Sequence, residues 1–563
     1  WWPHTHGDPI LHAVSLHLTL GGGRELAIDC GRVGFRDLRG GERLEEEGIQ
    51  LRVNGVAVFA RGALWTPLEA GGVRATPPEL RATLETVCSA GLNMLRIPGT
   101  AAYESAAFHD LCDELGILVW QDFMFANMDY PEADPQFMAA IEREVGQLLD
   151  ELGGRPSLAV LCGSSEIAQQ VAMLGLDPEL ASGPLFGELL PGLAAQAGLD
   201  AIYVASAPSG PGLPFRPSRG VANYYGVGGY RRPIEDARRA EVKFAAECLA
   251  FANVPDTAAL EAIAPGLVVH DPRWKAGVPR DVGTGWDFDD VRDHYLGALF
   301  GVDPSTLRWS DHERYLELSR AVSGEVMAEV FGEWRRAGSP CGGGLVLWLR
   351  DLVPGAGWGL LDSGGRPKVA FHHLRRALAP SAVWTTDEGL GGILAHVAND
   401  GPTPLRARLR IALYRDLETP VAEATRALEL APHSACEYDI EEVIGHFVDA
   451  AWAYRFGPPP HDVVAVSLET EGDGRVELLS QAFRLPAGRP LERESATGLG
   501  LRAEIRAASG EHALVTVTST RLAYGVRVDV PGFRMDDDAF SIEPGGHRQI
   551  DCTRIGDGPA ATG

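Results

Sequence analysis

The sequence has no CxxC pair, no histidine or cysteine spacing that suits a metal and no Asn-x-Ser/Thr acceptor. Its eight cysteines (30, 88, 112, 162, 248, 341, 436 and 552) are scattered through 563 residues. Such usage reads as free core thiols of a reducing compartment, so the expectation is cytoplasmic, with the periplasm left open. No apolar run approaches the ~18 residues of a membrane span. Positive charge is scarce, with 50 Lys and Arg against 77 Asp and Glu and a net charge of −27. Nucleic acid and anionic membrane both need a basic face, so neither is expected as a partner. No metal and no cofactor are expected. An initiating Met and a signal peptide are also lacking. The opening "WWPHTHGDPILHAVSLHL" already reads as the inside of a strand-rich domain, and a part lying upstream is expected.

What is present is alternation. A chain this long exceeds the roughly 250–300 residues at which single cores stop growing, so several domains are expected. Residues 1 to about 52 alternate in strand fashion, as in "RELAIDCGRVGFRDL". From 53 to 380, short apolar runs alternate with helical patterns. The runs are "VAVFARGALW" (56–65), "NMLRIPG" (93–99), "ILVWQDF" (117–123), "LAVLCG" (158–163), "AIYVASA" (201–207), "GVANYYG" (220–226), "EVKFAAE" (241–247) and "GGLVLWLRD" (343–351). Pro77 and Pro78 suit a first helical turn, and Gly91 and Gly116 suit the position just past a helix end. Eight β runs with helices between them predict a parallel (β/α)8 barrel. Beyond 381 the helices stop, and alternating strands over 381 to about 490 and 495 to about 556 read as two β-sandwiches. The fold class is therefore multidomain, α/β plus all-β, with a TIM barrel joined to sandwiches.

In such a barrel the chemistry sits on the C-terminal rim of the strands. Ionisable or aromatic residues ending the runs are Glu69, Arg96, Asp122, Glu166, Glu247, Trp348, Arg350 and Asp351. Trp358 falls on the loop after the last run. A single rim glutamate is ordinarily a solvated or salt-bridged acid. Here two close apolar strands, Glu166 after the fourth run and Glu247 after the seventh, and those strands lie across the mouth from one another. Two carboxylates about 5–5.5 Å apart are what a retaining glycosidase uses, one ionised to attack and one protonated to donate. A shift of two pKa units between them needs about 2.7 kcal/mol of differential environment. Carboxylate oxygens more than about a nanometre apart, or either acid buried against a permanent arginine clamp, would end this reading. Arg96, Arg350, Arg231 and Arg232 read either as partners of local acids or as a site for a charged substrate group.

The motifs also carry a resemblance. "GLNMLRIPGTAAYESAAFHDLCDELGILVWQDFMFANMDYP" (91–131), "VNGVAVFARGALWTPLEA" (53–70) and "LWLRDLVPGAGWGLLDSGGRPKVAFHHLRRALAP" (347–380) resemble the barrel of glycoside hydrolase family 2, in its β-mannosidase branch. The opening residues and the tail "VTSTRLAYGVRVDVPGFRMDDDAFSIEPGG" resemble immunoglobulin-like domains of that family. The resemblance implies four parts: a sandwich remnant over 1–52, the catalytic barrel over 53–380, a β-sandwich over 381–492 and a C-terminal immunoglobulin-like sandwich over 493–563. The family's N-terminal jelly-roll is absent.

"CGSSE" stands where the family has Cys-Gly-Asn-Asn-Glu, which implies that Glu166 is the general acid/base. "KFAAECLAFANVP" stands where it has Ser-Glu-Phe-Gly, which implies that Glu247 is the nucleophile. Trp348 matches the aromatic floor of the sugar subsite, and Trp65 and Asp122 match rim positions. Departures are concentrated in the subsite. Ser165 replaces an Asn that would hold a sugar hydroxyl, Pro98 replaces a Trp, and "NYYGVGG" puts Asn223 and Tyr225 where the family has aromatic and imidazole groups. Arg350-Asp351 replaces Asn-Asp. One lost hydrogen bond costs ~1–3 kcal/mol, so the resemblance implies a rebuilt subsite around retained machinery. It implies a retaining, exo-acting glycoside hydrolase on a β-linked sugar. Transfer to an acceptor other than water, and a degenerate carbohydrate-binding protein, are the alternatives. Oligomeric state is not legible. Two weaker motifs remain: His372 and His373 point to different faces of one helix, and "MDDDAF" (535–540) reads as a solvated acidic turn.

Overall fold

The computed structural model describes residues 1–72, 75–472, 475–507 and 511–555. The chain packs as two compact units, residues 1–251 with 333–366, and residues 252–332 with 367–563.

The first unit holds an eight-stranded parallel sheet. Its strands are β1 (Ala60–Leu64), β2 (Met94–Ile97), β3 (Leu118–Asp122), β4 (Leu158–Cys162), β5 (Ile202–Val204), β6 (Ala222–Tyr224), β7 (Ala245–Cys248) and β8 (Gly343–Val346). Neighbours pair in chain order and β8 returns to pair with β1, as a TIM barrel requires. Among the described residues the ladder is interrupted between β5 and β6, each three residues long. Strands β1, β2, β3, β4, β7 and β8 are buried at every position. Burial on both faces is why they read as continuous apolar runs rather than alternating ones. The seventh run was expected from residue 241, but the strand starts at Ala245, so Glu247 lies inside the sheet rather than past its end.

Two of the helices end as their residues dictate. Pro77–Ser89 opens on proline, and Gly91 follows it at φ 69°; Ala106–Leu115 is closed by Gly116 at φ 73°. Gly62 in β1 has a different reason for being glycine, because a Cβ there would collide with the carbonyl oxygen of Met94 on β2. We expect Gly62→Ala to lose about 1–3 kcal/mol of stability, read as a lower denaturation midpoint, because two paired backbones must separate to admit the methyl group.

Residues His12–Leu20 and Arg24–Val33 form a two-stranded antiparallel hairpin, and Leu38–Arg39, Arg52–Val53 and Val56–Ala57 a small sheet. In the second unit, a three-stranded sheet (Ser381–Asp387, Ile393–Asn399, Ser434–Asp439) and a four-stranded one (Leu405–Arg415, Thr419–Leu430, Val463–Gly472, Arg475–Arg484) enclose one core. Val383, Val397, Ile411 and Val466 lie in that core. A further antiparallel sheet follows, with His512–Thr518 and His547–Arg554 at its centre. The expected terminal sandwich reaches residue 563, and its last part, 556–563, lies outside the described residues. The acidic turn is not solvated: Asp537 and Asp538 are buried, and Asp536, Asp537 and Asp538 each pair with an arginine, Arg375, Arg376 and Arg527. No helix among the described residues is long and apolar enough to cross a membrane. All eight cysteines are free.

Candidate active site

Glu166 follows β4 at φ 63°, a left-handed conformation that costs a non-glycine residue about 1 kcal/mol or more. Its neighbours hold it there. Ser165 N–H donates to Phe125 O (2.8 Å) and Glu166 N–H to Ala207 O (2.9 Å), tying the residue to the chain after both flanking strands. The carboxylate is half-buried. Its Oε1 accepts from Asn223 Nδ2 (2.8 Å) and from Gln169 Nε2 (3.0 Å).

Glu247 sits within β7 and is 8% exposed. Tyr225 O–H donates to its Oε2 (2.6 Å) and Arg96 Nη1 to its Oε1 (3.1 Å). Asn223 bridges the two acids: it pairs with Glu247 in the β6–β7 ladder while its amide bonds Glu166. Arg96 reaches Glu247 with Nη1 and, with Nη2, the hydroxyl of Ser165 beside Glu166 (3.4 Å).

Burial raises the Glu247 pKa to about 7; the Arg96 charge opposes this, the Glu166 charge adds to it, and the Tyr225 hydrogen bond opposes it. Tyr225 itself is pushed well above the usual phenol range by burial and by Glu247, so it remains a neutral donor. Burial alone pushes Arg96 down, but the Asp122 and Glu247 charges outweigh it and its pKa is raised.

Several expected substrate contacts are placed elsewhere. Arg96 and Asp122 are both 0% exposed and pair with each other at 2.8 Å, with Asp122 also accepting from Trp120 Nε1 (2.7 Å) and Gly99 N (3.0 Å). They lie under the site, not at its surface. Arg96 takes only one oxygen of Glu247, with a single N–H, so it orients the carboxylate without occupying it. Trp65 is 1% exposed, donates to Glu104 (2.7 Å) and packs on Phe108 at 4.8 Å, so it is a packing anchor rather than a subsite wall. Glu69 is exposed on the loop after β1. Arg350, half-buried, spends Nε and Nη2 on the carbonyl of Ser363 (3.2 and 2.6 Å), not on an acid. Trp348 and Trp358, both half-buried, meet edge to face at 5.3 Å beside β8. Ser165 is 3% exposed, its hydroxyl facing Arg96.

The structure thus joins Glu166, Ser165, Asn223, Tyr225, Glu247, Arg96 and Asp122 in one network and leaves Trp65 and Glu69 out of it. Sequence reading missed Gln169 and Trp120. Gln169 alone had a signal, being three residues after Glu166 at the start of a helix.

No family model matches the chain. Over 99% of its length it is 24% identical to β-mannosidase B of Aspergillus niger, covering 67% of that protein. It is 26% identical to β-mannosidase B of Aspergillus flavus, again over 99% of its length and 68% of that protein. Among solved structures, β-D-mannosidase from Dictyoglomus thermophilum superposes with a TM-score of 0.78 at 21% identity, over 98% of this chain and 65% of that one. The exo-chitosanase CsxA of Amycolatopsis orientalis gives 0.70 at 17% identity, over 99% of this chain and 68% of that one. The chain therefore spans about two thirds of the length of these relatives.

Proposed function

We propose that the chain is a β-mannosidase-like glycosidase of glycoside hydrolase family 2, a reading supported by its similarity to β-mannosidases, and that it is a retaining, exo-acting hydrolase of a β-linked sugar, in which Glu247 is the nucleophile and Glu166 the acid/base. The observation that carries the reading is the asymmetry of the two carboxylates. Glu247 is buried and receives hydrogen bonds on both oxygens from Arg96 and Tyr225, which hold it in line and oppose only part of the burial that raises its pKa to about 7. Glu166 receives both of its donors on Oε1, which leaves Oε2 to carry a proton to the leaving oxygen and later to take one from water. The subsite differs from the family pattern at Ser165, Asn223 and Arg350, so the sugar accepted need not be plain mannose. The test is hydrolysis of a panel of aryl β-glycosides that includes the β-mannoside, with the anomer of the first-formed sugar read by proton NMR. Release of the β anomer supports retention; release of the α anomer sinks the two-glutamate displacement.

The pH behaviour follows from Glu247. Its folded pKa, about 7, lies above the ordinary 4.5. A protonated Glu247 therefore stabilises the fold, fully below pH 4.5, and this contribution of about 3 kcal/mol is lost as the pH climbs to about 7. Activity runs the other way, since attack needs the carboxylate. We expect kcat/KM to fall on the acid side of about pH 7. Because the charge on Glu166 helps to raise that value, Glu166→Gln should move the limb down by about one unit, measured on a substrate with a good leaving group.

A further inference from the structure

The second unit carries a solvent-open cavity of about 390 Å3, the size of a small-molecule site. Trp384 and Phe483 give it apolar wall, and four arginines line it: Arg376, Arg484, Arg489 and Arg548. Three of them have committed partners. Arg484 spends its fork on Glu329 and Thr385, Arg489 bonds Glu325, and Arg376 bonds Asp537 and the carbonyls of Asp538 and Ala539.

Arg548 is the exception. Its nearest acid oxygen is Asp537 Oδ2 at 3.9 Å, beyond hydrogen-bond reach, on a carboxylate already taken by Arg376. Its Nε is buried with no partner among the described residues, and the guanidinium lies over the Phe540 ring at 6.0 Å. His373 stands on the same wall with Nε2 buried and likewise unpartnered. Burial first, and then the Arg376 charge, push His373 well below the usual range, so it is neutral and offers that nitrogen as a hydrogen-bonding group. Burial also lowers Arg548, with Arg375 and Arg376 adding to this and Asp537 and Asp536 opposing it. A largely buried cation whose nearest acid, Asp537, is too far to hydrogen-bond and is shared with Arg376 is poorly compensated, and water in the cavity cannot neutralise it. An oxyanion can.

We infer that this cavity binds a small organic oxyanion, a carboxylate or phosphate on a body of sugar size, gripped by Arg548 with His373 beside it. The site is separate from Glu166 and Glu247, and the inference does not rest on the proposed hydrolysis.

Isothermal titration of the full chain with inorganic phosphate, mannose 6-phosphate, glucuronate and neutral mannose tests it. Binding of at least one anion is expected, and the phosphate and glucuronate arms separate the two head groups. Arg548→Gln should weaken that binding about ten- to a hundredfold, while Arg548→Lys keeps part of it. Glu247→Ala should leave it unchanged, which separates this cavity from the glycosidase site. Failure of every anion to bind overturns the inference, as does equal binding by Arg548→Gln. Should that variant not fold, a soak of wild-type crystals with the tightest-binding probe decides: density against Arg548 supports the site, and its absence overturns it.

Discussion

If Glu247 is the nucleophile proposed, Glu247→Ala should lower kcat/KM by about 10^5-fold or more on whichever aryl β-glycoside the wild type cleaves, because it removes the group that would form the glycosyl-enzyme. The fold should survive. Glu247 is 8% exposed, and its loss strands donors of Arg96 and Tyr225, but Arg96 keeps Asp122 as its counterion and the burial of a carboxylate is relieved. The alanine leaves space beside Arg96 and Tyr225, both of which still point donors into it. A small anionic nucleophile such as azide should enter there and restore part of the rate as a glycosyl azide. Glu166→Gln should behave differently. It should be severely slow on substrates with poor leaving groups and nearly normal in the first step on nitrophenyl glycosides, which need no acid. If Glu247→Ala keeps activity within about tenfold of wild type, the nucleophile has been misassigned.

Much of this was legible before any coordinates. Eight apolar runs in order are enough for the sheet, since strands buried on both faces advertise themselves. The two glutamates stood out because a carboxylate at the end of such a run has to be accounted for. Partnership was what the sequence could not show. Arg96 and Asp122 looked like two separate rim groups, and only the β2–β3 register, which sets Arg96 against Trp120, brings Asp122 within 2.8 Å of the guanidinium. Trp65 reads as a rim residue of the subsite until Glu104, 39 residues on, takes its N–H. The same holds for Asp536 to Asp538, whose charges look solvated in sequence and are matched by arginines from elsewhere in the chain. The partition of the chain at residue 251, inside the stretch expected to be one barrel, has no composition signal either.

Arg96→Met should be the most destabilising single change at the site. It removes the cation from Asp122, which is 0% exposed, and a donor from Glu247. Breaking a buried ion group from one side costs about 3–5 kcal/mol, because the remaining charge is left without compensation. A lower denaturation midpoint is therefore expected, and pairing the change with Asp122→Asn should recover part of the loss by removing the stranded charge. A purely structural arginine would do no more than that. Arg96 also opposes the burial that raises Glu247, so its loss should move the acid limb of kcat/KM upward. That is opposite to the shift expected for Glu166→Gln. Two substitutions on either side of one carboxylate, displacing the same pH limb in opposite directions, would assign that limb to Glu247. A limb that stays in place in both would show that another group titrates there, whatever the stability change.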